Sequence, residues 1–265
     1  MNKVWSESYP IHTYELDRRQ KVSIHAVCSY LIDTAGHHVH ELGFSIPQLL
    51  EKRRSWFFSR FLLRLEAYPG WRDTITVETW PPGSQKLLAL REWRLLCGGE
   101  TIGAGTSGWL MIDIEKRRPL RPESYPEWKQ FIHPERIVVH SFGRLPSIDA
   151  SAVLSGKREF SVRFDDVDLN GHANYLCYID WILESLPPEL RQQRELAELE
   201  VHFLREANYA EKVISCSTRI GKTRIHPITV RSRQDAIAEE YLHAVVLQRP
   251  GCEAVRARTV WKQPR

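Results

Sequence analysis

The sequence predicts an α+β protein built from two copies of one unit, each a long helix packed on an antiparallel sheet. Three observations carry that prediction. First, two stretches share a spacing: His25-Ala26 is followed by Ile32-Asp33, and His172-Ala173 by Ile179-Asp180, 147 residues further on. Second, each stretch opens a run of apolar residues at helical intervals. Third, each run leads into segments in which apolar and polar residues alternate, as half-buried strands do.

In the first helix Val27, Leu31, Ala35, Val39 and Leu42 fall near one face, and Gly43 ends it. In the second, Leu176, Ile179, Leu183 and Leu186 do the same, and Pro187 ends it. An apolar strand closing in Glu-Ala is expected after each helix, over Leu63–Ala67 and Phe203–Ala207. Alternation then predicts strands over Thr74–Trp80, Leu88–Leu96 and Trp109–Ile114 in the first half. The second half has the same pattern over Lys212–Ser217, Ile228–Arg233, Tyr241–Leu247 and Ala254–Trp261. A strand with Phe160, Val162 and Phe164 alternating precedes the second helix. Each half therefore reads as one long helix with about five strands. Between them Pro119, Pro122, Pro126, Pro134 and Pro146 punctuate a long connection, read as a surface linker with one short helix near Glu127–Phe131. The expected division is residues 1–120, a linker over 121–155, and residues 156–265.

Composition narrows the function. With 42% hydrophobic and 26% charged residues the chain can bury a core, which excludes a disordered protein. The net charge of +4 is spread among interspersed acids and bases, which argues against a nucleic-acid binder. Two short clusters stand apart: Lys52-Arg53-Arg54 and Lys116-Arg117-Arg118. They read either as solvated turns or as an electrostatic landing site for an acidic protein. The five Cys are scattered and never spaced C-x-x-C, which argues against a disulfide framework or zinc site and fits a reducing cytosol. The eleven His form no ligand set, so no metal or organic cofactor is implied. The N-terminal residues carry no apolar leader and no run is long enough to span a bilayer. The expectation is a cytoplasmic protein without a membrane partner.

The densest polar segment runs from Arg163 to Tyr175 and contains Asp168, Asn170 and His172 in a D-x-N-x-H arrangement. Capping explains part of it: Asn170 or Asp168 can cap the following helix, and Gly171 can supply an unusual φ. The offset of 147 residues places Lys21, Ser23 and His25 at the same positions of the first half. Acid and amide are both missing there. On that alignment the set is not needed to fold the unit, and function belongs to the second half alone.

The segment Arg163–Tyr175, continued by Tyr178-Ile179-Asp180-Trp181-Ile182-Leu183-Glu184-Ser185-Leu186-Pro187, resembles the signature of the acyl-ACP thioesterases of plants and bacteria. That family carries a D-x-N-x-H-x-N box followed by Y-I-x-W-I-L-E-S-x-P. In the first half Tyr68-Pro69-Gly70-Trp71-Arg72-Asp73, Val77-Glu78-Thr79-Trp80 and Ala104-Gly105-Thr106-Ser107-Gly108-Trp109 resemble its Y-P-x-W-G-D, I-E-T-W and A-T-S-x-W stretches, in the same order.

The resemblance implies a double hotdog fold and hydrolysis of fatty acyl-acyl carrier protein, which ends fatty acid synthesis. It implies a catalytic set of Asp168, Asn170, His172 and Glu206, the last from an R-E-C stretch on the next strand. Here Ala207 stands where plant members carry Cys, so a cysteine nucleophile is excluded at that position. Cys177 reads as packing. The expected chemistry is attack by an activated water, with Glu206 or His172 as base, Asp168 orienting His172, or the roles of Glu206 and Asp168 exchanged, and the Asn170 amide holding water or the carbonyl oxygen. The first half is expected to shape the acyl pocket through Ala35, Gly36, Val39 and Leu42, with Trp56, Phe57 and Phe58 beyond. The partner implied is acyl carrier protein, and homodimerisation is an option of the family. The competing readings are a hotdog acyl-CoA thioesterase, another hotdog enzyme using an acid/His pair, and a non-enzymatic acyl-thioester sensor.

Overall fold

The structure is a computed structural model that describes residues 3–148, 156–225, 228, 237–249 and 251–264. It divides into two compact units, Met1–Phe142 and Gly143–Arg265.

In the first unit β1 (Trp5–Pro10) leads to α1 (Ile24–Glu41) and the short α2 (Ile46–Leu50). Then come β2 (Arg54–Leu65), β3 (Thr74–Gln85), β4 (Leu88–Cys97), β5 (Glu100–Asp113), β6 (Arg118–Leu120) and α3 (Pro126–Gln130). The sheet order is β1-β3-β4-β5-β2, antiparallel at each junction, with β6 added on β5. Helix α1 starts because the Ser23 hydroxyl accepts the Ala26 N–H at 3.1 Å. It buries Val27, Leu31, Thr34, Ala35 and His38 against the sheet, and ends just before Gly43 at φ 78°. The Trp93 indole of β4 donates to the Leu31 carbonyl at 2.8 Å, tying helix to strand through the core.

The second unit repeats the plan with β7 (Lys157–Ser161), α4 (Tyr175–Glu184), α5 (Pro188–Gln193), β8 (Glu195–Phe203), β9 (Lys212–Arg224), β10 (Ile237–Leu247) and β11 (Glu253–Lys262). Its order is β7-β9-β10-β11-β8, the same permutation as in the first unit. Each unit is thus a long helix laid on an antiparallel hotdog sheet, as expected. Helix α4 has 10 residues against 18 in α1, because the Pro187-Pro188 pair cannot continue it. Among the described residues, no helix is long and apolar enough to cross a membrane.

Several expected elements need correction. The strands expected at Leu63–Ala67 and Phe203–Ala207 are only the ends of β2 and β8; Glu66-Ala67 and Leu204–Ala207 lie past them in loops. Trp56, Phe57 and Phe58 are on β2, and Gly36 lies on the exposed face of α1. Phe164 belongs to a 3₁₀ turn rather than to β7. Of the strand expected at Ile228–Arg233, residues 229–233 lie outside the described residues.

Part of the proline-rich connection is not a surface linker. Trp128 and Phe131 are buried with Leu42, Phe44, Leu49, Ala89 and Met111. The Trp80 indole donates to the Glu135 carbonyl at 2.9 Å, and the buried Glu92 carboxylate accepts the Ile137 and Val138 N–H groups at 3.1 and 3.0 Å. Aromatic burial and a satisfied internal carboxylate strap residues 121–142 onto the first unit.

Candidate active site

The loop between β7 and α4 is built by backbone bonds that two aspartates complete. A 3₁₀ turn over Phe164–Asp166 is closed by the buried Asp166, whose carboxylate accepts the Arg163 backbone N–H at 2.8 Å and its guanidinium at 2.6 and 3.0 Å. Burial pushes the Asp166 pKa up, but the bonds to Arg163 outweigh it and hold the carboxyl below the usual range. A tight turn follows. The Asp168 N–H donates to the His172 carbonyl at 2.8 Å and the Gly171 N–H to the Asp168 carbonyl at 3.0 Å. Gly171 sits at φ 83°, a left-handed conformation that glycine adopts without a Cβ penalty. The Asp168 carboxylate accepts the Asn170 N–H at 2.8 Å and lies 3.5 Å from the His172 N–H. Helix α4 then starts at Asn174, whose side chain accepts the Leu176 N–H at 2.9 Å.

The segment after β8 is fastened to this loop. The Ala173 N–H donates to the Ala207 carbonyl at 2.8 Å, and His172 and Asn208 form an isolated β-bridge. At the other end of the same residue the Ala207 N–H donates to the phenolic oxygen of Tyr178 at 2.7 Å. Tyr178 is 3% exposed and Ala207 is fully buried. The result places His172 Nε2 at 3.3 Å from a Glu206 carboxylate oxygen, with side-chain exposures of 32% and 48%. His172 Nδ1 is buried with no hydrogen-bond partner. The 3.3 Å approach is a contact between ring and carboxylate at ion-pair distance.

The structure thus brings His172 and Glu206 into contact and places Asp168 and Asn170 in the adjoining turn. Two details bear on the sequence expectation. Asp168 Oδ1 serves the turn's backbone, and the carboxylate found against the ring is Glu206, which is the exchanged arrangement of the two acids. The helix cap is Asn174, not Asn170 or Asp168; the Asn170 side chain is exposed. Cys177 lies with its sulfur 3.8 Å from the Asp166 carbonyl oxygen. Burial, with the charges of Asp166 and Asp180, pushes its pKa up to about 12, so the thiolate is scarce at neutral pH. Tyr178 is a site residue that sequence reasoning missed. It stands among Leu176, Ile179 and Ile182, where a tyrosine reads as core.

The first unit contains the same loop, and its bonds correct the internal alignment. Asp17 N–H donates to the Lys21 carbonyl at 2.7 Å, as Asp168 does to His172. The Asp17 carboxylate accepts the Arg19 and Lys21 N–H groups at 2.8 and 3.2 Å, as Asp168 does with Asn170 and His172. Gln20, at φ 61°, takes the place of Gly171, and Ser23 that of Asn174. The offset here is therefore 151 residues, not 147, and the counterparts of Asp168, Asn170 and His172 are Asp17, Arg19 and Lys21. Past the strand, Val22 N–H donates to the Pro69 carbonyl as Ala173 N–H does to that of Ala207, which makes Tyr68 the counterpart of Glu206. The Arg19 guanidinium covers that Tyr68 ring at 5.4 Å. An aspartate is thus common to both loops as a backbone clamp. Asn170, His172 and Glu206 are what distinguish the second.

Elsewhere, among the described residues, Glu7, Asp33 and His37 hold three ligand-type atoms within 4.8 Å. Glu7 is already bonded to His37 Nδ1 at 2.8 Å and to the Tyr9 hydroxyl at 2.7 Å, which makes the trio an ion-pair network.

Comparison with known proteins covers both halves of the chain. Residues 2–127 match the acyl-ACP thioesterase N-terminal domain and residues 151–263 the C-terminal domain. The palmitoyl-acyl carrier protein thioesterase of Cuphea hookeriana, a chloroplastic protein, is 28% identical over 98% of this chain and 62% of its own length. The chloroplastic oleoyl-acyl carrier protein thioesterase 2 of Arabidopsis thaliana is 28% identical over 98% of this chain and 77% of its own. The chain thus spans less than two thirds of the Cuphea relative. Among solved structures, an acyl-ACP thioesterase from Bacteroides thetaiotaomicron superposes with a TM-score of 0.82 at 20% identity, covering 98% of both chains. The 12:0-ACP thioesterase of Umbellularia californica gives 0.85 at 22% identity, over 99% of this chain and 95% of that one. Matched in both halves and across nearly its whole length, the chain belongs to the acyl-ACP thioesterase family.

Proposed function

We propose that this chain hydrolyses the thioester joining a fatty acyl group to acyl carrier protein, releasing free fatty acid and ending fatty acid synthesis. The observation that carries the reading is the His172–Glu206 pair, held at 3.3 Å with Asn170 in the same turn as His172, where the first unit has Lys21, Tyr68 and Arg19 instead. The His172 Nε2–H fixes one Glu206 oxygen and leaves the other for a water molecule. That water attacks the thioester carbonyl carbon as Glu206 takes its proton. The carbonyl electron pair moves to oxygen, where the exposed Asn170 amide donates a hydrogen bond. Collapse of the tetrahedral adduct breaks the C–S bond, and the departing carrier thiolate takes the proton from Glu206. Thioester and water become acid and thiol, and the enzyme is unchanged. Asp168 acts through the backbone, fixing where Asn170 and His172 stand.

The second unit is then the catalytic half and the first the acyl-binding half, with Ala35, Val39 and Leu42 of α1 and its end facing the chain. Each methylene buried there contributes about 0.8 kcal/mol to chain-length preference. The five free cysteines fit a reducing, cytoplasmic setting. Sedimentation of the purified chain tests the homodimer that the family allows.

The test is thiol release from matched acyl-ACP and acyl-CoA panels. Faster turnover of acyl-ACP supports the reading, and preference for acyl-CoA replaces it with a CoA thioesterase. No hydrolysis of either, with tight acyl-ACP binding, replaces it with a sensor.

A further inference from the structure

The two basic clusters that stand out in the sequence are a single surface. Strand pairing sets Arg54 of β2 opposite Asp113 of β5, and Asp113 opposite Arg118 of β6. The Ile114 N–H donates to the Arg53 carbonyl at 3.1 Å, which joins the two turns directly. Lys52-Arg53-Arg54 and Lys116-Arg117-Arg118, far apart in sequence, thus form one patch at an end of the first unit's sheet.

The local acids do not neutralise it. Six cations face Glu51, Asp113 and Glu115. The Asp113 carboxylate accepts the Lys116 N–H at 2.9 Å, and Glu115 pairs with Arg53. Lys52, Lys116, Arg117 and Arg118 are exposed and have no carboxylate partner among the described residues. The patch is also not purely ionic. Leu50 and Ile114, 49% and 43% exposed, sit within it, and the Arg53 N–H donates to the Leu50 carbonyl at 2.9 Å. Unpaired cations around exposed aliphatic side chains match an acidic protein face that presents an apolar residue. A single-stranded nucleic acid would call for exposed aromatic rings to stack on. Tyr125 beside Arg54 is half-buried, and the Arg54 guanidinium covers its ring at 4.4 Å.

We propose that this composite patch is the docking surface for an acidic protein partner, and that the partner is the carrier protein delivering the acyl chain. The inference rests on the function proposed above. The patch acts on encounter and binding, and the chemistry stays with His172 and Glu206.

The test compares wild type with the triple variant Lys52→Glu, Lys116→Glu, Arg117→Glu, and with its Gln counterpart. Each is confirmed as folded by its thermal melt. Substrates are an acyl-ACP and the same acyl chain on N-acetylcysteamine, a small neutral thiol. Charge reversal is expected to lower kcat/KM for acyl-ACP about 10-fold, and neutralisation less, with the small thioester unchanged; rim charges act mainly on association rate. The wild-type rate on acyl-ACP falls with added salt more steeply than that of the variants. Equal kcat/KM for acyl-ACP in wild type and reversal variant overturns the proposal. Direct titration with unacylated carrier protein at low salt separates the two readings if wild type hydrolyses neither substrate. Binding lost in the variant then upholds the patch while the hydrolase reading fails. No binding, equal binding, or competition by duplex DNA but not by carrier protein overturns the patch.

Discussion

Removing one oxygen atom tests how the site is held. In Tyr178→Phe the ring remains in its buried place, but the acceptor of the Ala207 N–H at 2.7 Å is lost. Neither group is open to water, as Tyr178 is 3% exposed and Ala207 not at all, so the N–H has no replacement partner. An orphaned buried donor costs about 1–3 kcal/mol. The peptide can relieve that cost by turning toward solvent, and it is the peptide that joins Glu206 to Ala207. The next peptide still holds Ala173, next to His172, through the Ala207 carbonyl at 2.8 Å. A tilt about that bond moves Glu206 relative to the imidazole, and a displacement near 1 Å costs on the order of 100-fold in rate. The expected outcome is a stability loss of about 1–3 kcal/mol by urea unfolding, with kcat on acyl-ACP at least about 10-fold lower and KM little changed. A variant that loses the stability but keeps kcat within twofold refutes the positioning argument and leaves Tyr178 a core residue.

Further outcomes follow from the same geometry. Asn170→Ala should lower kcat by about 10²-fold, as loss of an oxyanion donor does, while stability stays within about 0.5 kcal/mol because the side chain is exposed. Equal loss of both in kinetics and melts would make it structural. Asp17→Ala and Asp168→Ala should each cost about 1 kcal/mol, since each releases a turn's backbone. Only the second should lose activity; equal loss in both would contradict the separation of clamp from chemistry. His243 is buried, with its ring bonded to the Thr259 hydroxyl at 2.8 Å, and burial pulls its pKa down to about 3. The unfolded chain binds that proton below about pH 6.5 and the folded chain does not. Its contribution is therefore complete above about pH 6.5 and is lost on acidification at about 1.4 kcal/mol per pH unit, until the folded ring protonates. Urea unfolding at pH 7, 6 and 5 should show that slope in wild type and not in His243→Gln.

The helices and most strands could be read from the sequence because their apolar spacing is regular. Strand β8 could not, except at its end. Its burial is nearly continuous from Leu196 to Phe203, and two of the buried residues are Glu198 and Glu200. Arg258 pairs with the first and His202 with the second at 2.9 Å, so internal ion pairs disguise a core strand as a polar one. Edge strand β1 was hidden by Pro10 and by having only one buried side to pattern. The internal repeat was visible, but its register was not. Matching His25 to His172 relies on like residue types. The loops match by backbone conformation, which Gln20 and Gly171, or Ser23 and Asn174, meet with different side chains. Of the candidate site, the four residues were legible through the family pattern. Which carboxylate serves the backbone and which meets the imidazole depends on a contact between a turn and a strand exit that no local pattern encodes.

The measurement that bears most directly on the account is thiol release from acyl-ACP by wild type and Glu206→Gln, run with thermal melts of both. Glutamine keeps the shape and cannot take a proton, and Glu206 is 48% exposed, so the melts should coincide. A fall in kcat of about 10²-fold or more is the expected result for a general base. Turnover within threefold of wild type would contradict the Glu206–His172 mechanism and return the search for the base to Asp168.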